Sequence, residues 1–205
     1  MKERILFYTR FERFWHWAQA LLIILLLITG FDLHGSYNIL PFGEAVTLHN
    51  QLAWLLIGLT AFAIFWHLTT GQWKQYIPTL DKATEVVCFY SRDIFKGGQN
   101  PVKKDVDSKL NPMQRITYLL LKVVLFPLQL ITGLLYLYSS ELGITMELST
   151  VAYLHTIGSF AFLAFLIIHV YLATTGHTVL AHFKAMVTGW EEIEEEKPEP
   201  SSSVQ

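Results

Sequence analysis

Residues 154–170 read LHTIGSFAFLAFLIIHV, an apolar run with no charged side chain and a histidine near each end, His155 and His169. The run extends from 151 to 175, and roughly 20 such residues are enough for a helix to cross the hydrocarbon core of a bilayer. The two histidines are 14 residues apart (169 − 155). On an α-helix that spacing is about 1400° of rotation, roughly 40° short of four full turns, with an axial separation of about 21 Å. Both imidazoles therefore point to nearly one face, one toward each side of the membrane. Ionisable side chains at such depth are costly and are functional candidates by default.

Three further segments have the same character, at about 14–33, 46–70 and 116–138. The expected fold is all-α, an integral membrane bundle of four helices over residues 1–190, followed by a tail at 191–205. Composition agrees, with 52% hydrophobic and only 16% charged residues, against about 25% charged in ordinary soluble domains. Lys2, Arg4, Arg10 and Arg13 precede the first apolar run as they would in a signal peptide. No small-x-small cleavage pattern follows, so a retained helix is expected.

Orientation is read from lysine and arginine. Four lie before the first run and eight between Gly71 and Arg115, whereas the short connections Gly35 to Ala45 and Ser139 to Thr150 contain none. Both termini and the long middle connection are thus expected in the cytoplasm, with the short loops on the periplasmic side of a bacterial inner membrane. Leu80 to Phe95 has apolar residues at helical spacing opposite charges, an amphipathic helix on the cytoplasmic surface, ended by Gly97 to Pro101. The tail after Trp190 is acidic and Pro/Ser-rich, a composition expected to stay disordered. The single cysteine, Cys88, is read as a small apolar residue. It excludes an intrachain disulfide, a four-thiolate cluster and a C-x-x-C-H haem attachment, so any cofactor falls to histidine or carboxylate.

The second and fourth segments echo one another. Leu48-His49 opens one and Leu154-His155 the other; His67-Leu68-Thr69-Thr70-Gly71 closes the first, and His169 with Thr174-Thr175-Gly176 closes the second. Leu-Ile-Thr-Gly also recurs at 27–30 and 130–133. Two pseudosymmetric helix hairpins are expected. A same-face histidine pair spanning the membrane is what two stacked b-type haems require, each iron taking one imidazole from this helix and one from a neighbour. For His155 the level-matched partner is His49, favoured over His34 at the helix end. For His169 both His16 and His67 lie near the right level. His67 sits about 27 Å from His49 along its helix, some 6 Å more than the His155–His169 separation, a constraint that His16 on another helix escapes. His177 and His182 lie past Gly176, toward water. Gly30, Gly58, Gly133 and Gly158 fall inside helices, where close helix packing or a flat porphyrin would each explain them.

Arg10-Phe11-Glu12-Arg13-Phe14-Trp15-His16-Trp17, Leu48-His49, Lys109-Leu110-Asn111-Pro112-Met113-Gln114-Arg115 and Leu154-His155 with His169-Val170-Tyr171 occur in one order. Together they resemble the membrane cytochrome b subunit of respiratory formate dehydrogenases, within the wider hydrogenase-type and thiosulfate-reductase-type cytochrome b family, over about residues 4–190. The resemblance implies His16–His169 as axial ligands of the inner haem and His49–His155 of the outer one. It also implies a quinone near Lys109, Asn111, Gln114 and Arg115, where Asn111-Pro112 equally reads as a helix start. The expected function is a di-haem electron-transfer subunit, with two haem b and exchangeable menaquinone or ubiquinone. It would join a periplasmic-side iron–sulfur or multihaem cytochrome subunit to the quinone pool, in membrane lipid and without nucleic acid; the complex could itself be a homo-oligomer. No nucleophile–base pair, Rossmann fingerprint or phosphate loop is present, which leaves substrate chemistry to the partner. The alternatives are a stand-alone haem protein serving a diffusible acceptor and a histidine-based metal or ion transporter. Lys122 is the one clear charge within a span, placed to snorkel or to meet a haem propionate.

Overall fold

The computed structural model describes residues 2–79, 81–93, 96, 109–141, 143, 147–176 and 178–194. In chain order they form β1 (Lys2–Leu6), α1 (Arg10–Leu33), α2 (Phe42–Thr70), the short α3 (Ala83–Cys88), α4 (Pro112–Leu120), α5 (Phe126–Leu137), α6 (Leu148–Ala173), α7 (Ala181–Thr188) and β2 (Trp190–Glu194). Four helical stretches among the described residues are long and apolar enough to cross a membrane: α1, α2, the α4–α5 stretch Pro112–Leu137, and α6. Between 6% and 22% of each apolar window is buried inside the protein. The remaining apolar surface is what a bilayer covers, and the chain is a multi-pass membrane protein.

Each spanning helix begins three or four residues before its apolar run, because the first turn is polar. At α1, Thr9 Oγ1 accepts from the Glu12 N–H at 3.3 Å and the Glu12 carboxylate accepts from the Thr9 N–H at 2.8 Å. Asn111 and Gln114 form the same reciprocal box at α4, with Pro112 in the first turn. Such boxes satisfy donors that the helix leaves open. Hydrophobicity traces only the part of a helix that lipid sees.

The third span is interrupted. Leu121–Leu125 is one π-helical turn, and the Phe126 N–H reaches Leu121 O, five residues back. Pro127 follows and has no N–H to return to Val123, so the regular ladder cannot run through this point. Lys122 lies on this turn. Its ammonium stands 3.3 Å from the centre of the Tyr76 ring and 5.1 Å from that of Trp15, a cation–π arrangement.

Packing follows the repeat. α1 lies along α2 and α5 along α6, while the two hairpins meet sparingly, through α1 and α6. Among the described residues, β1, β2, α3 and α7 gather at one end of the bundle, and the turn after α1 lies at the other. There Asp32, buried, accepts from the backbone N–H groups of Ile39 and Leu40 at 2.9 and 3.1 Å.

Two features depart from expectation at the first of these ends. The acidic stretch does not start as a loose tail: β2 pairs antiparallel with β1, Leu6 opposite Trp190 and Lys2 opposite Glu194. Residues 195–205 lie outside the described residues. Phe7 is buried behind the ribbon and its N–H donates to Gly189 O at 2.7 Å. Gly189 has φ +89°, and a Cβ there would press on Tyr8 O, so only glycine fits. Arg13 and the Trp17 indole donate to Val187 O and Met186 O, at 2.8 and 3.2 Å, tying α1 to α7. The amphipathic segment is helical at α3 and continues as a wider turn over Phe89–Asp93, burying Val86 and Phe89. Cys88, read as a small apolar residue, is exposed on it. Leu80, Ile94, Phe95 and 97–101 lie outside the described residues.

Candidate cofactor site: two histidine pairs across the bundle

α6 presents His155 and His169 to different neighbours. His155 faces His49 of α2, with ring centroids 6.3 Å apart and planes at 73°. His169 faces His16 of α1, at 6.1 Å and 46°. A metal–imidazole bond is about 2 Å, so two imidazoles on opposite sides of one ion place their ring centres about 6 Å apart. Both pairs have that separation. Among the described residues no group of three or more His, Cys, Asp and Glu side chains gathers to enclose a metal ion. Two opposed imidazoles would be an incomplete shell for an ion held by protein alone, and would suffice to hold a haem whose porphyrin supplies the remaining nitrogens.

The surroundings of the pairs differ. Thr29 Oγ1 donates to Leu25 O at 2.9 Å and lies 2.8 Å from His49 Nδ1. Thr132 Oγ1 donates to Leu128 O at 2.7 Å and lies 3.0 Å from His155 Nδ1. The glycine after each threonine clears room for the same ring. A Cβ on Gly30 would stand 3.4 Å from His49 Cε1, and one on Gly133 3.2 Å from His155 Cε1. These glycines thus admit an imidazole rather than a neighbouring backbone. Gly158 makes room for the Gln129 side chain, while Gly58 faces open space. At the other pair, His169 stacks on Phe165 (5.5 Å, 15°) with Tyr118 nearby. His16 packs edge-on to Trp17, and its Nδ1 is buried with no hydrogen-bond partner.

His67 is engaged elsewhere. It is buried among Trp15, Trp66 and Tyr76, its Nδ1 donating to Ala63 O at 2.7 Å and its Nε2 lying 3.4 Å from the Tyr76 hydroxyl. Burial, with Glu12 nearby, pushes the Tyr76 hydroxyl pKa up, so that hydroxyl stays protonated and donates to His67. His34 is tied to Thr156 Oγ1 at 2.6 Å, and His182 lies 3.4 Å from a Glu191 oxygen. His177 lies outside the described residues. Lys109 and Glu12 form a buried ion pair at 2.7 Å. Arg115 donates to Leu110 O and Ile77 O. Asn111 and Gln114 spend their side-chain oxygens on the α4 cap, and Asn111 Nδ2 lies 3.4 Å from the Tyr90 hydroxyl.

The family model for prokaryotic cytochrome b561 matches residues 7–189. The chain belongs to the prokaryotic cytochrome b561 family. It is also 31% identical over 195 residues to a protein of Escherichia coli (strain K12) named "Putative cytochrome YdhU", covering 92% of this chain and 75% of that one. No solved structure matches. As a prokaryotic cytochrome b561, the chain is a haem b-binding electron-transfer protein of the membrane. The likeness to membrane cytochrome b subunits drawn from its motifs agrees with this family. The His49–His155 pairing was open to reading from histidine spacing, while spacing left both His16 and His67 open as the partner of His169. Thr29, Thr132 and Gln129 were not singled out, although the repeated Leu-Ile-Thr-Gly was the signal that contained both threonines.

Proposed function

We propose that the chain is a di-haem electron-transfer subunit that connects a redox partner on the periplasmic side to the quinone pool. The observation that carries this reading is the pair of opposed imidazole sets on one helix, His49–His155 and His16–His169, at 6.3 and 6.1 Å. When bound, each haem supplies a one-electron couple. The four histidines hold the irons and set their positions along the bundle, and the lipid-covered helices keep water from them. The end rich in lysine and arginine faces the cytoplasm of a bacterial inner membrane, which makes His49–His155 the outer pair and His16–His169 the inner pair. The partner on the outer side is an iron–sulfur or multihaem cytochrome subunit, which carries the substrate chemistry. The test is the haem-to-protein ratio of the purified chain together with its reduced-minus-oxidised spectrum. Two low-spin b-type haems per chain are expected; one haem or none overturns the reading.

Quinone exchange is placed at the inner end, beside the buried Asn111. Reducing a quinone takes two electrons and two protons, and the Asn111 amide N–H can turn from the Tyr90 hydroxyl to a quinone carbonyl without bringing charge into the membrane. Asn111→Leu and Asn111→Ser are both expected to slow haem reduction by quinol roughly two- to tenfold, the equivalent of one hydrogen bond of about 0.5–1.5 kcal/mol. Both haem spectra should stay intact. Serine still caps α4, so a serine variant that works at the parental rate would assign Asn111 to the cap alone.

A further inference from the structure

We propose that Thr29 and Thr132 are positioning residues that fix the tautomer of the outer histidine pair and hold the outer haem at a lower potential than the inner one. The proposal rests on the di-haem reading above. Its first support is where the protons lie. Each threonine oxygen lies 2.9 or 2.7 Å from a carbonyl one turn back, Leu25 O for Thr29 and Leu128 O for Thr132, and a carbonyl can only accept. A hydroxyl whose hydrogen is spent can only accept from its other neighbour. With the hydroxyls donating to the carbonyls, His49 and His155 carry their protons on Nδ1, at 2.8 and 3.0 Å from the two oxygens. That leaves the Nε2 lone pair of each ring free for iron.

Gln129 Nε2 lies 3.1 Å from His155 Nε2, the nitrogen that would take iron, so this amide has to turn aside when that ring binds a metal. The two threonines come from the two copies of Leu-Ile-Thr-Gly, at 27–30 and 130–133, each followed by the glycine that admits the ring it holds. The repeat is thus a seat for a ligand histidine, used once per hairpin, and both copies serve the outer pair.

The inner pair is built differently. His16 Nδ1 is buried with no hydrogen-bond partner, and His169 is oriented by stacking on Phe165. A ligand imidazole whose second nitrogen donates a hydrogen bond is the more basic donor, and a more basic donor favours the ferric over the ferrous ion. Two such bonds at the outer haem against an unpartnered nitrogen at the inner one separate their potentials, outer below inner. An electron entering at the short-loop end then moves toward the more readily reduced centre as it goes inward.

The experiment is a potentiometric titration of the purified chain and its Thr29→Val, Thr132→Val, Thr29→Ser and Thr132→Ser variants, with His49→Ala identifying the outer component by its loss. Each valine should raise the outer midpoint by about tenfold in the ratio of reduced to oxidised haem, near 59 mV for a one-electron couple. The inner midpoint should stay, and serine should behave as the parent. Loss of the outer haem with valine and its retention with serine also supports the proposal. Two bound haems titrating at parental potentials in the valine variants overturn it, as does serine shifting or losing haem like valine, or an outer component above the inner in the parent. A parent that binds a single haem overturns the di-haem reading itself, and that failure is visible in the haem count before any potential is measured.

Discussion

Replacing His155 or His169 by alanine is expected to lower the haem content from two per chain to one, and replacing both to remove it entirely. α6 contributes one imidazole to each pair, so on the proposed di-haem reading each single variant removes one iron ligand and leaves the other pair untouched. The two positions are about 21 Å apart along the helix, beyond the 7–10 Å within which substitutions usually couple, so the losses should add. Pyridine haemochrome content against protein, with the spectrum of the remaining centre, measures the outcome. A His155→Ala chain that retains two low-spin haems would remove His155 from the ligand set.

His16→Ala and His67→Ala are expected to part company. The first removes the imidazole that faces His169 at 6.1 Å; the inner haem should be lost or turn high-spin. The second removes a ring packed by two tryptophans and a tyrosine. It leaves the half-buried Tyr76 hydroxyl without its acceptor at 3.4 Å, a cost of about 0.5–1.5 kcal/mol for one lost hydrogen bond, and a lower melting temperature should follow with both haems in place. Spectra and thermal unfolding of the two variants decide it. Loss of a low-spin haem from His67→Ala with full retention in His16→Ala would reverse the assignment.

The parts of the fold that follow from local periodicity were legible in the sequence. Apolar runs mark lipid-facing helices directly, and the repeated Leu-His and Thr-Thr-Gly pointed to two pseudosymmetric hairpins. The candidate pairs were legible for a similar reason. His155 and His169 share a face by arithmetic alone, and once one helix carries both, level-matching narrows the partners. Geometry from spacing left His16 and His67 both open, because an axial estimate cannot see that Trp15, Trp66 and Tyr76 enclose His67. The β1–β2 ribbon was invisible because its strands lie nearly the whole chain apart, and Trp190–Glu194 reads as acidic tail when its partner is out of view. Pro127 was a legible breaker that was passed over inside a strong apolar run. The threonine contacts depend on how a hydroxyl divides its hydrogen between a carbonyl and an imidazole, which no spacing rule expresses.

The ribbon that joins the chain ends bears on how the inner pair is assembled. His16 and His169 belong to the first and last spanning helices, so no hairpin turn brings them together, and the loop between them is 153 residues (169 − 16). Once Leu6 is registered against Trp190, the shortest path between the two histidines runs through the ribbon and is about 32 residues (10 + 21, plus the cross-strand step). Loop-closure entropy grows with the logarithm of length, so this shortcut lowers the cost of bringing them together by about 1.4 kcal/mol. The ribbon acts as a drawstring: it ties the first spanning helix to the last at the end where His16 and His169 sit.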